Sequence, residues 1–253
     1  MRTRLWIPAV LFLLLGISCQ SRHERTLSIA AAANTRYAMA ELIDCFELQE
    51  GFDCDMTVSS SGKLAAQIRE GAPYQVFVSA DMRYPARLHQ ENLTMGAPQI
   101  YAMGRLVLWT NVPDVEPSLS WLREGHWSQL AIANPDLAPY GVAAVAALQH
   151  FGLYEKVKDR LVYGESIAQT NQYIRSGNAE AGLTALSVIK SPELQGVGQW
   201  IEMPVESYSK IEQGAVIIKK PDQETASEAR AFYEFLFSKE ARDILHEYGY
   251  ELP

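Results

Sequence analysis

The residues best suited to chemistry in this 253-residue chain are uncharged hydrogen-bond donors at four predicted strand ends. They are Ala33-Asn34-Thr35, Ser59-Ser60-Ser61-Gly62-Lys63, Ala138-Pro139-Tyr140-Gly141-Val142 and Gly164-Glu165-Ser166-Ile167. Each stands where an apolar strand gives way to a helix. The first N–H groups of a helix have no intrahelical acceptor, and the helix dipole is positive there. Such a corner favours an anion. Taken singly, Asn, Ser and Gly at helix starts are ordinary capping residues. The set is more specific: four corners, two for each of two lobes, able to close on one small oxyanion.

Other chemistries do not assemble. Gly62-Lys63 lacks a phosphate loop's partners, because Leu64 replaces the required Ser or Thr and Thr57 stands where the upstream glycine belongs. There is no Gly-x-Ser-x-Gly elbow. His23, His89, His126, His150 and His246 are scattered without metal-ligand spacing. Glu41 with Asp44, and Asp53 with Asp55, suit surface charge better than an acid–base pair. Trp109, Trp121, Trp127 and Trp200 suit the core or the lobe faces. A hydrolase using one of Ser59 to Ser61 needs a histidine in an adjacent element, and none is placed there. The chain is therefore expected to be a binder and not an enzyme, with no cofactor.

The elements that position these corners alternate. Strands are predicted over 27–34, 52–58, 75–79, 105–110, 130–133, 161–163, 181–185 and 213–218. Helices are predicted over 36–49, 63–70, 84–91, 118–124, 142–151, 167–175 and 238–248, with a further helix on Phe232, Phe235 and Leu236 entered through a Thr225/Glu228 capping box. Strand–helix alternation is the signature of parallel sheets with crossover helices. The predicted fold is α/β with two lobes, each a mostly parallel sheet flanked by helices and the ligand in the cleft between them. The first lobe is placed at 26–105 plus 217–253 and the second at 106–216.

A 48% apolar composition supports a packed core. Formal net charge is −8, and removing Arg2 and Arg4 with a signal segment takes it to −10. That balance argues against nucleic acid, which favours a basic surface. It does not argue against a small anion, because local N–H groups outweigh a distant field. Arg2, Arg4, the apolar run Trp6 to Leu15 and Gly16-Ile17-Ser18 read as a secretory signal over 1–18. Cys19 then follows an imperfect lipoprotein box, so the alternatives are a lipid anchor and an ordinary cleavage near Ser18. Export places Cys45 and Cys54 where a disulfide could persist, and their state stays open.

Several stretches together carry a resemblance. They are Ala30-Ala-Ala-Ala-Asn-Thr, Ser60-Ser-Gly-Lys-Leu-Ala-Ala-Gln-Ile, Gly71-Ala-Pro-Tyr-Gln-Val-Phe-Val-Ser-Ala-Asp, Asn134-Pro-Asp-Leu-Ala-Pro-Tyr-Gly and Gly182-Leu-Thr-Ala-Leu-Ser. With them the chain resembles the periplasmic molybdate-binding proteins of ABC importers over its mature length. The resemblance implies a type II periplasmic-binding-protein fold, molybdate or tungstate held by neutral donors between the lobes, and delivery to an inner-membrane permease by an exported monomer. It implies as ligands Asn34 (side chain and N–H), Ser61 (hydroxyl and N–H), Tyr140 (N–H) and Ile167 (N–H), with Ser60 as a neighbouring member. These are the residues that would surround the metal of the oxyanion. Many members of the family have serine at the place of Asn34 and a tyrosine donor within the segment Leu183-Thr184-Ala185. The Asn-containing subgroup shares both departures, and Asn34 would replace the lost donors with its amide. Sulfate, phosphate or an organic acid on the same fold, and a ligand-sensing domain, stand as alternatives.

Overall fold

The computed structural model describes residues 26–219 and 226–253. The signal segment 1–18, Cys19 and the Thr225 half of the capping box lie outside the described residues. The strands are β1 (Leu27–Ala32), β2 (Cys54–Ser59), β3 (Val76–Val78), β4 (Gln99–Gly104), β5 (Leu106–Thr110), β6 (Leu130–Ala133), β7 (Leu161–Gly164), β8 (Ala181–Ala185), β9 (Gln199–Glu202) and β10 (Ile211–Ile217). The helices are α1 (Arg36–Glu50), α2 (Ser61–Arg69), α3 (Arg83–Gln90), α4 (Leu119–Glu124), α5 (Pro139–His150), α6 (Tyr154–Val157), α7 (Ile167–Arg175), α8 (Leu186–Ile189), α9 (Ala226–Phe235) and α10 (Lys239–Glu247).

Two five-stranded sheets result, in the orders β2-β1-β3-β10-β4 and β7-β6-β8-β5-β9. Both are mixed. The strand–helix repeats pair in parallel (β1 with β2 and β3, β6 with β7 and β8), while the returning strands β10, β4, β5 and β9 pair antiparallel. β1 and β6 lie inside their sheets, one strand from the edge, and are almost wholly buried, as strands covered on both faces must be. α1 packs Met39, Leu42 and Phe46 against one face of the first sheet, with Phe46 edge-on to Phe232 of α9 at 5.2 Å. Gly51 ends α1 in the left-handed region at φ 68. Leu64 of α2 and Phe77 of β3 fill the opposite face.

The lobes are joined by two crossings, Gly104-Arg105-Leu106 and the segment 203–210. The Leu106 N–H donates to the Tyr208 hydroxyl at 3.1 Å, which ties one crossing to the other. The return to the first lobe comes earlier than the expected 217, because the whole of β10 from Ile211 lies in the first sheet. β4 and β9 are absent from the sequence prediction. Both lie at sheet edges; β9 (Gln-Trp-Ile-Glu) has no continuous apolar run, and the short run Ile100–Met103 of β4 is separated from the longer run of β5 by only Gly104 and Arg105. α5 starts at Pro139 and not at Val142, since proline is favoured in a helix's first position. Cys45 and Cys54 are free thiols, and burial pushes the Cys54 thiol up to about 12.

Candidate functional site

β1 ends at Ala32 and the chain tightens into a 3-10 turn over Ala33–Thr35 before α1. The Thr35 hydroxyl secures that turn by donating to the Ala32 carbonyl at 2.7 Å. β2 runs into α2 through Ser60, an extended N-cap residue whose side chain makes no cap bond. α5 opens with Pro139, so the N–H of Tyr140 stands in its first turn; α7 opens with Ile167 after the Ser166 cap, which accepts from Gln169 N at 3.4 Å. These N–H groups precede the first intrahelical bonds of their helices.

The four corners converge. Asn34, Ser60, Ser61, Tyr140 and Ile167 all line one cavity of about 10 Å³, together with Ala32, Ala33, Ala80, Ala138 and Pro139. All five of those residues are buried, and none of the lining residues carries a charge. The Ser60 hydroxyl is buried with no hydrogen-bond partner; among the described residues only the Trp127 indole N–H shares that condition. Buried polar groups are rarely left so. The Ser61 hydroxyl accepts from Ala80 N at 3.0 Å, and its own proton has no acceptor among the described residues. A cavity of this volume admits roughly one water-sized body. A tetrahedral oxyanion is larger than that, so the corners would have to spread slightly to admit one while the contacts across the cleft persist.

Asn34 behaves differently from the sequence expectation. Its side-chain Nδ2 donates to Gln213 Oε1 at 2.9 Å and to the Tyr250 hydroxyl at 3.0 Å. Both amide hydrogens are thus engaged inside the protein, and the backbone N–H is the donor left to the cavity. The Asn34 carbonyl accepts from Ser187 Oγ at 2.8 Å and Tyr250 OH at 3.2 Å. Gln213, Tyr101 and Tyr250 were not foreseen as neighbours of the site. The signal for Gln213 was the strand's alternation: two residues after Ile211 and next to Glu212, it falls on the face of Ile211, and that position is fully buried. Near Leu183-Thr184-Ala185 the Thr184 hydroxyl donates to Asn171 Oδ1 at 2.5 Å, away from the cavity lining.

Contacts across the cleft close the cavity. Gly62 N donates to Leu137 O at 2.9 Å, the Tyr84 hydroxyl to Asp136 O at 3.1 Å, and Lys63 pairs with Glu165. On the far side an open cleft of about 640 Å³ shares Ala33 with the cavity. There the Tyr37 hydroxyl and Arg175 hold the Glu193 carboxyl below its ordinary value.

Burial pushes the Tyr250 phenol up to about 12 and those of Tyr101 and Tyr140 well above 10. All three remain neutral hydroxyls at neutral pH. Above pH 10 the unfolded chain sheds protons that these folded tyrosines keep, so stability is full below pH 10 and falls as pH rises past it. Denaturant unfolding measured between about pH 8 and 11 should show that fall. A flat profile would contradict the buried placement.

A family model for bacterial extracellular solute-binding proteins matches residues 27–251. A molybdate-binding protein ModA of Azotobacter vinelandii is 37% identical over 240 residues, covering 94% of each chain. The ModA of Rhodobacter capsulatus is 35% identical over 222 residues, covering 87% of this chain and 86% of that one. A solved structure of the Azotobacter vinelandii periplasmic molybdate-binding protein matches with a TM-score of 0.84 at 34% identity, over 90% of this chain and 99% of that one.

Proposed function

The chain belongs to the bacterial extracellular solute-binding protein family, and from that membership we propose that it captures molybdate or tungstate outside the cytoplasm and hands the ion to an ABC permease. The observation that carries the site assignment is the convergence of Asn34, Ser60, Ser61, Tyr140 and Ile167 on one buried cavity with no charged lining. The donors are backbone N–H groups at three helix starts and one 3-10 turn, with two serine hydroxyls. Hydrogen bonds from neutral donors to an ionised acceptor are among the strong ones, and they bring no second charge to desolvate. Donors spaced for molybdate or tungstate would stand too far from the oxygens of the smaller sulfate. A protonated phosphate would set its own proton against a donor and lose a bond, about 1–3 kcal/mol.

The protein acts as a monomer whose lobes close on the ion, and the permease recognises the closed form. No catalytic step is assigned, and among the described residues no histidine bonds to Ser59, Ser60 or Ser61. The protein is exported; among the described residues no helix is long and apolar enough to cross a membrane. A lipid on Cys19 would tether it to the membrane surface and would be seen as a mass increase on the mature chain.

Calorimetry of the mature protein with molybdate, tungstate, sulfate and phosphate tests the assignment. Binding of molybdate or tungstate well ahead of sulfate and phosphate is expected, and silence with both metal oxyanions would refute it. Ser61→Ala should weaken molybdate binding by roughly 10- to 100-fold, the value of one hydrogen bond to a charged group. Ser60→Ala should also weaken it, with no loss of stability in the ligand-free protein, because its hydroxyl has no partner to lose.

A further inference from the structure

Gln213 is fully buried on β10, and its side-chain amide reaches both lobes. Its Oε1 accepts from Asn34 Nδ2 and from the Tyr101 hydroxyl, each at 2.9 Å. Its Nε2 donates across to the Tyr140 hydroxyl at 3.5 Å. Asn34 is the first-lobe corner, and Tyr140 opens α5 of the second lobe. The register between β10 and β4 shifts between Gln213 and Gly214, and a bulge of this kind re-aims a side chain. The Tyr140 hydroxyl enters the first lobe where Gly104 leaves room: a Cβ on Gly104 would lie 2.1 Å from that oxygen. Gly104 is the last residue of β4 before one crossing, and Gln213 lies two residues inside the strand that follows the other.

We infer that Gln213 is a positioning residue that sets both sides of the anion cage, holding the Asn34 turn through its carbonyl and seating the Tyr140 hydroxyl through its amide nitrogen. The inference rests on the molybdate assignment of the cavity. Gln213 does not line the cavity and touches no anion. It acts through the two corners, whose N–H groups face the ion when the lobes are closed. The chemistry explains why the residue is a glutamine. An apolar residue of this size would leave the Asn34 amide with the Tyr250 hydroxyl as its one acceptor and the Tyr101 hydroxyl with only the Ser79 carbonyl at 3.4 Å, in a dry site. A glutamate would keep the acceptor and the shape, but would set a buried negative charge behind a dianion site. The neutral amide accepts on one side, donates on the other, and adds no charge.

The test is a double-mutant cycle on the mature protein, with molybdate affinity read by calorimetry. Gln213→Leu should weaken binding at least roughly tenfold, and Tyr140→Phe, which keeps the Tyr140 N–H, by roughly threefold to tenfold. The double variant should bind within about twofold of Gln213→Leu alone, because the Tyr140 hydroxyl has already lost its partner. Fully additive losses would overturn the inference. Should Gln213→Leu not fold, Gln213→Glu serves, since it is isosteric. Its molybdate affinity should fall at neutral pH and recover as the pH is lowered toward protonation of the new carboxyl, relative to wild type at the same pH. A merely structural side chain would not produce that rescue. Wild-type affinity at every pH in Gln213→Glu overturns the inference alone, whereas no molybdate binding by the wild-type protein overturns the assignment of the cavity and this inference with it.

Discussion

Gly62→Val is expected to reduce molybdate affinity by about a hundredfold or more while leaving both lobes folded. A Cβ at position 62 would meet the Leu137 carbonyl oxygen at 2.9 Å, the Leu137 Cα at 3.1 Å and the Tyr84 hydroxyl at 2.7 Å. Tyr84 can swing aside. The Leu137 backbone cannot, because it belongs to the other lobe and leads directly into α5. The two larger γ carbons of valine extend the clash, and the relief available is to open the cleft. Opening moves the N–H groups of Tyr140 and Ile167 away from Ser60 and Ser61. Losing two bonds to a charged ligand, at roughly 1.5–3 kcal/mol each, gives the expected size. Gly62 sits in the first turn of α2 with no left-handed φ, so valine meets no backbone strain there. Calorimetry measures the affinity, and thermal unfolding with and without molybdate measures closure. The ligand-free melting temperature should be little changed, while the upward shift with molybdate should vanish. Wild-type affinity in this variant would mean that the contact between Gly62 and Leu137 is not part of the binding state.

Closure and selectivity are linked through the absence of charge. The protein carries a formal charge of −8, and its bound ligand is an anion, so long-range electrostatics do not favour the complex. The attraction must be local, from oriented N–H and O–H dipoles in a cavity that excludes water. Such dipoles lose strength quickly with distance. A cage of this kind discriminates steeply by how well the lobes fit the anion, which is why a device outside the cavity, the Gln213 cluster, is expected to bear on binding.

The corners were legible in the sequence because helix starts follow local rules. Ile167 to Arg175 and Ala181 to Ala185 coincide with α7 and β8, and the Ser166 cap and Gly51 stop are where local chemistry puts them. β9 was not legible, since an edge strand has one partner and no need of an apolar run, and the short run Ile100–Met103 of β4 was overshadowed by the β5 run that follows it. The role of the Asn34 side chain was not legible either. Whether an amide points at a ligand or into the fold depends on Gln213 and Tyr250, residues 179 and 216 positions away along the chain. Pairing at that separation leaves no local pattern. A glutamine on the buried face of a strand marks such a partner, and its own partners become known once the strands are placed.

Ile167→Pro is expected to delete the N–H proposed as one donor of the cage while leaving α7 in place. Ile167 is the first residue of α7, where the N–H has no intrahelical acceptor. Proline is favoured at that position, and α5 of this same chain begins with Pro139. The preceding Ser166 has φ −154 and ψ 169, the extended geometry that a residue before proline adopts. The helix should therefore persist with its N–H deleted. One lost hydrogen bond to a charged ligand lowers molybdate affinity roughly 10- to 100-fold. The substitution also removes a side chain that is buried in the second-lobe core, which costs stability on its own account. Ile167→Ala separates the two effects: it removes the same packing but keeps the N–H. Comparable melting temperatures for the two variants, with near-wild-type affinity in Ile167→Ala and a large loss in Ile167→Pro, assign the donor to the backbone at 167. Equal affinities would show that this N–H does not reach the ion, and the cage would then rest on Asn34, Ser60, Ser61 and Tyr140.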